Sequence, residues 1–155
     1  MEFFRLKGEN MPINQNYEKA LRKAVESTPI YQLLNITLEE IDMGFARFRM
    51  PFRKEFTQLY GVVHGGIIAT IADTAGAFAL LTLIKKGEQV TTVEMKINFL
   101  SPIIGGEMYG EARITHTEGG ICLGELEVKD ADGKLLAKAQ ATYMILPPSN
   151  QYSKP

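Results

Sequence analysis

The stretch that decides the fold is His64-Gly65-Gly66-Ile67-Ile68-Ala69-Thr70-Ile71-Ala72-Asp73, which runs on through almost wholly apolar residues to Ile84. A glycine pair follows His64, and Asp73 is the only ionisable side chain from there to Ile84. Gly66–Ile84 is nearly long enough to cross a bilayer. A carboxylate at its centre would be costly in lipid, however, and its flanks read as strands. The spacing therefore predicts a buried core helix. A helix that is apolar on nearly every side must be covered on nearly every side, which calls for a strongly curved sheet wrapped around it. Lys85-Lys86-Gly87 places basic residues and a glycine where a helix C-terminus favours them.

Downstream of the helix the period becomes two. In Val90–Phe99 one face carries Val93, Met95, Ile97 and Phe99, and the other carries Thr92, Glu94, Lys96 and Asn98. Breaks at Ser101-Pro102, Gly105-Gly106, Glu118-Gly119-Gly120 and Asp132-Gly133 separate three further strands: Glu107–Thr117, Ile121–Lys129 and Leu135–Leu146. Upstream, Ile13–Ser27 reads as an amphipathic helix. Tyr17, Ala20, Leu21, Ala24 and Val25 share a face, and Pro29 ends the helix. Ile30–Leu34 reads as another short turn of helix. Ile36–Phe52 is a hairpin, or a strand kinked at Gly44. The expected class is α+β: one long helix, a curved antiparallel sheet and an N-terminal amphipathic helix. The boundaries are a tail over 1–12, one domain over 13–147 and a tail over 148–155.

Composition narrows the function. The 155 residues suffice for one domain. The 17 Lys and Arg are scattered among 18 Asp and Glu, so no basic surface for nucleic acid or anionic membrane is expected. A lone cysteine, Cys122, allows no internal disulfide, and Met1–Asn10 has no signal-peptide pattern, so the expected location is cytoplasmic. One Cys and two His make a zinc cluster improbable. No phosphate-binding glycine loop, nucleophile elbow or His-Glu-x-x-His is present.

Two features carry chemistry. A glycine pair at a helix N-terminus offers free N–H groups, backed by the helix dipole, to a developing oxyanion. Asp73 is a carboxylate where one is costly unless paired or used, although a hydrogen bond to backbone or a nearby tyrosine would also account for it. His64 reads more readily as a cap or structural histidine than as a base. From Gly65 to Asp73 the helix rises roughly 12 Å, at about 1.5 Å per residue. One carbonyl cannot touch both in one chain. If they cooperate they must come from two subunits, with the helices antiparallel across a two-fold axis.

Gly61-Val62-Val63-His64-Gly65-Gly66 followed by Ile71-Ala72-Asp73 resembles the signature of hotdog-fold acyl-CoA thioesterases, in particular the phenylacetate-pathway (PaaI-like) branch. The likeness extends through the strand that ends in Ser101-Pro102 and covers about Leu33 to Leu146. It implies a hotdog fold and active sites at a dimer interface, in a homodimer or homotetramer. It also implies roles. The Gly65 N–H polarises the thioester oxygen, and Asp73 of the other subunit is nucleophile or general base. His64 shapes the site by hydrogen bonding, Thr92 orients water near the acid, and Gln58 stands where relatives often carry a water-positioning Asn. No cofactor is implied, since coenzyme A is part of the substrate. Leu59, Tyr60 and Phe78 are candidate acyl-pocket residues, with core packing the expected fate of Phe78. Two other readings stay open. One is a non-catalytic acyl-CoA-binding module. The other is a hotdog 3-hydroxyacyl-thioester dehydratase, whose relatives usually carry Phe and Pro after the His, where this chain has Gly65-Gly66.

Overall fold

The computed structural model describes residues 13–148; the tails expected over 1–12 and, beyond Pro148, over 149–155 lie outside the described residues. In chain order the elements are α1 (Gln15–Ser27), α2 (Pro29–Leu34), β1 (Thr37–Asp42), β2 (Phe45–Pro51), a 3-10 turn (Lys54–Phe56), α3 (Gly65–Leu81), β3 (Gln89–Phe99), β4 (Glu107–Glu118), β5 (Ile121–Lys129) and β6 (Leu135–Leu146). The strands form one sheet in the order β1-β2-β4-β5-β6-β3, with every neighbouring pair antiparallel. The sheet curves around α3, so the expected architecture is the observed one.

Small residues make the wrapping tight. Ala72, Ala75 and Ala79 are essentially fully buried, so strands approach the helix without large side chains between them. Gly110 on β4 lies closest: a Cβ there would stand 2.8 Å from the Ile71 carbonyl oxygen. The rest of the interior is filled by Phe48, Met50, Met108, Leu126 and Val128. Phe78 belongs to this core and packs edge-on against Phe48, with ring centroids 5.0 Å apart.

Local chemistry moves several boundaries. α1 starts at Gln15 because the Asn14 side chain caps it, accepting from the Asn16 and Tyr17 N–H groups. It buries only Leu21 and Val25, while Ala20, Ala24 and Tyr17 stay on the exposed side. The reason is its position at the rim, where a narrow stripe suffices; the Tyr17 hydroxyl nevertheless donates to the Leu81 carbonyl at 2.7 Å. Pro29 opens α2 as well as closing α1, since a first-turn position needs no N–H. α3 stops at Leu81, short of Ile84. There the buried Thr82 hydroxyl donates to the Ala79 carbonyl and accepts from the Gly44 N–H, each at 2.7 Å, which ties the helix end to the β1–β2 turn. Lys85-Lys86-Gly87 thus forms a turn beyond the helix. Gly44, at φ 71°, makes a true hairpin of β1 and β2.

The alternation expected for β3 is broken by a bulge. Thr92 pairs with Tyr143, yet Glu94 pairs with Thr142, leaving Val93 as the extra residue. The phase flips there. Val93 is 55% exposed, and Thr92 shares the inner face with Met95, Ile97 and Phe99, contrary to a strict period of two.

Candidate active site

Asp73 projects from the middle of α3 and is half-buried. Its Oδ1 accepts a hydrogen bond from the Thr92 hydroxyl at 2.8 Å. Two phenols feel the charge of the carboxylate. Tyr143, fully buried on β6, stands directly across from Thr92. Burial and then the Asp73 charge push its phenol well above the ordinary range, and its interaction with the carboxylate adds to this. Tyr31 on α2 is raised by the same two causes, offset in part by the Thr74 hydroxyl.

The start of α3 forms a second cluster. His64 is its N-cap, and its Nδ1 accepts from the Gly66 N–H at 2.9 Å. In this arrangement His64 caps the helix, with the proton on Nε2 when neutral. The same bond corrects the idea of two free glycine amides, because the Gly66 N–H is occupied. The Gly65 N–H, by contrast, donates to no acceptor among the described residues. Gly65 lines a cleft of about 310 Å³ with Gln58, Val62, Ile68, Phe99 and Pro102. The Phe99 ring lies so close that a Cβ on Gly65 would sit 3.0 Å from its Cζ. Gln58 closes a turn, its Oε1 accepting from the Tyr60 N–H, and lines the same cleft.

Within one chain the structure therefore brings Asp73 and Thr92 together, and separately Gly65, His64 and Gln58. Asp73 is not among the walls of the Gly65 cleft. Leu59 and Tyr60, expected beside the pocket, are 89% and 83% exposed. Tyr143 and Tyr31 were not singled out from the sequence. The available signal was that Tyr143 is the only aromatic residue in the phase of β6 that carries Ala137, Ala139 and Ala141.

A family model for the thioesterase superfamily matches residues 60–137. A Saccharolobus solfataricus protein with a provisional esterase name is 38% identical, over 83% of this chain and 89% of its own. The proofreading thioesterase EntH of Klebsiella pneumoniae is 28% identical, over 74% of this chain and 83% of its own. Among solved structures, the E. coli PaaI protein from the phenylacetic acid degradation operon superposes with a TM-score of 0.77 at 22% identity, covering 86% of this chain and 94% of that one. The chain belongs to the thioesterase superfamily, and its fold is the hotdog fold of those enzymes.

Proposed function

We propose that the protein is a cytoplasmic acyl-CoA thioesterase whose active site is built by two subunits. The observation that carries this reading is the Thr92–Asp73 hydrogen bond, which fixes a carboxylate at an inner position of α3. In a dimer, the free Gly65 N–H of the partner subunit faces it.

β3 supplies the geometry. It is a long sheet edge whose outer side has no strand partner among the described residues, and it exposes Val93, Phe99 and the following Leu100. Such an edge invites pairing. Thr92 and Phe99 mark opposite ends of the strand, beside Asp73 and Gly65 respectively. Antiparallel pairing of β3 with its own copy sets the Thr92 end of one chain against the Phe99 end of the other. The two half-sites then meet, twice per dimer.

The chemistry follows from these groups. The Gly65 N–H, aligned with the α3 dipole, stabilises negative charge on the thioester oxygen. Asp73 takes a proton from a water that attacks the carbonyl carbon, or attacks it directly to form an acyl-Asp73 anhydride, which water hydrolyses to the free acid once the thiolate has left. The carbon–sulfur bond breaks and the thiolate leaves with little need of a strong acid, thiols ionising near pH 8.5 on the cysteine scale. The cleft beside Gly65 takes the apolar part of the acyl group.

The test is a thiol-release assay over aromatic, short-chain and medium-chain acyl-CoAs. Hydrolysis of at least one, reduced at least a hundredfold by Asp73→Asn, is the expected result. A full rate in that variant overturns the reading. Binding without turnover points instead to an acyl-CoA-binding module.

A further inference from the structure

Tyr143 is an anomaly in a well-satisfied interior. Among the described residues it carries a buried side-chain oxygen without a hydrogen-bond partner. The other such atoms, Arg47 Nε and Glu107 Oε2, still sit beside opposite charges, at 3.5 Å from Glu111 and 3.3 Å from Arg49. The Tyr143 hydroxyl has no such compensation apart from Asp73. A phenylalanine would fill the same space without an unpaired hydroxyl.

The helix is shaped to admit this hydroxyl. Gly76 sits inside α3, where glycine is unfavourable. A Cβ there would lie 1.8 Å from the Tyr143 hydroxyl and 2.7 Å from its Cζ. Gly76 follows Asp73 by one helical turn, so both are on the face that meets β6. The register places Tyr143 opposite Thr92, the residue that already holds Asp73. Two hydroxyls on neighbouring strands thus converge on one carboxylate, one of them through a notch cut in the helix.

We propose that Tyr143 is a positioning residue for Asp73: its phenol, seated in the Gly76 notch, supplies the carboxylate with a second hydroxyl donor beside Thr92. That second donor limits the rotation of Asp73 that a single bond from Thr92 leaves open. The inference rests on the proposed hydrolysis for its rate effect, but not for the coupling between the two side chains. Of the neighbouring elements, α2 brings Tyr31, whose phenol feels the Asp73 charge, and β5 brings the buried Cys122, paired with Tyr143.

The test uses Tyr143→Phe, which keeps the ring packing. A structural role alone would leave catalysis and its pH dependence unchanged. The expected result is a thermal midpoint equal to or above wild type, a kcat about tenfold lower with little change in KM, and an acid limb of the rate profile displaced to higher pH. In protein labelled with ¹³C at tyrosine Cζ, the resonance absent from Tyr143→Phe should move as acid protonates the carboxylate, and should stop moving in Asp73→Asn. An unchanged rate profile in Tyr143→Phe, or a Tyr143 resonance indifferent to Asp73→Asn, overturns the proposal. If Asp73→Asn retains full hydrolysis while the resonance still reports the carboxylate, the catalytic reading fails and the coupling stands.

Discussion

Thr92 stands directly across from Tyr143 on the adjacent strand, and both side chains turn inward because Val93 is bulged out of β3. Without that extra residue Thr92 would face away from the helix, and Asp73 would lose its 2.8 Å hydrogen bond.

The first prediction concerns that bond. Thr92→Val keeps the shape and removes the donor. A hydrogen bond to a charged group contributes about 1.5–3 kcal/mol, so steady-state kinetics should show kcat falling roughly ten- to a hundredfold. Thr92→Ser should recover most of the rate. Thr92 is exposed, so water takes over part of the lost bond, and calorimetry should find a fall in thermal midpoint that is small beside the loss of rate.

Gly76→Ala reverses the usual helix preference. Alanine is favoured over glycine in a helix interior by about 1 kcal/mol. Here its Cβ would lie 1.8 Å from the Tyr143 hydroxyl. The overpacking cost of about 1–3 kcal/mol should win, and urea unfolding should show a less stable protein. A more stable Gly76→Ala would show that the ring moves aside freely.

At Gly65 the balance differs. An added Cβ meets the Phe99 ring at 3.0 Å, and that ring is 52% exposed and able to turn. Gly65→Ala should therefore fold with little loss of stability. It should narrow the approach to the Gly65 N–H and lower kcat/KM at least tenfold. Equal losses in stability and activity would contradict this.

His64→Ala removes the acceptor for the Gly66 N–H and should cost about 1 kcal/mol in urea denaturation. His64→Asn restores a capping side chain and should regain most of that stability. If the histidine were a catalytic base, His64→Asn would be as inactive as His64→Ala.

Acid stability should depend on Glu127. Hydrogen bonding to Lys129, with Lys138 adding to it, holds this carboxyl below its ordinary range despite partial burial. A carboxyl depressed in the folded state contributes stability above its unfolded pKa, about 4.3. That contribution is lost as pH falls through the lower folded value. Glu127→Gln should flatten the fall in stability between about pH 4.5 and the folded value, measured by urea titration. An unchanged slope would mean that the lysines stay equally well placed in the unfolded chain.

The sequence by itself determined the class of fold. The apolar run after Gly65, with a carboxylate at its centre, called for a buried helix covered on all sides, and the alternation in the following strands supplied the cover. It also marked the candidate groups, since Asp73 is the sole charge in that helix and Gly65 opens it, and the helical rise alone separated them. Tertiary structure decided the rest, because it depends on which atoms meet across long separations. The inward turn of Thr92 needed a bulge set by register with β6. The capture of the Gly66 N–H needed the rotamer of His64. The meaning of Gly76 appeared only when Tyr143, far along the chain, came to lie over it. Periodicity reads one strand at a time, whereas the half-buried Asp73 carboxylate is held by the Thr92 hydroxyl, which only the packed sheet brings to it.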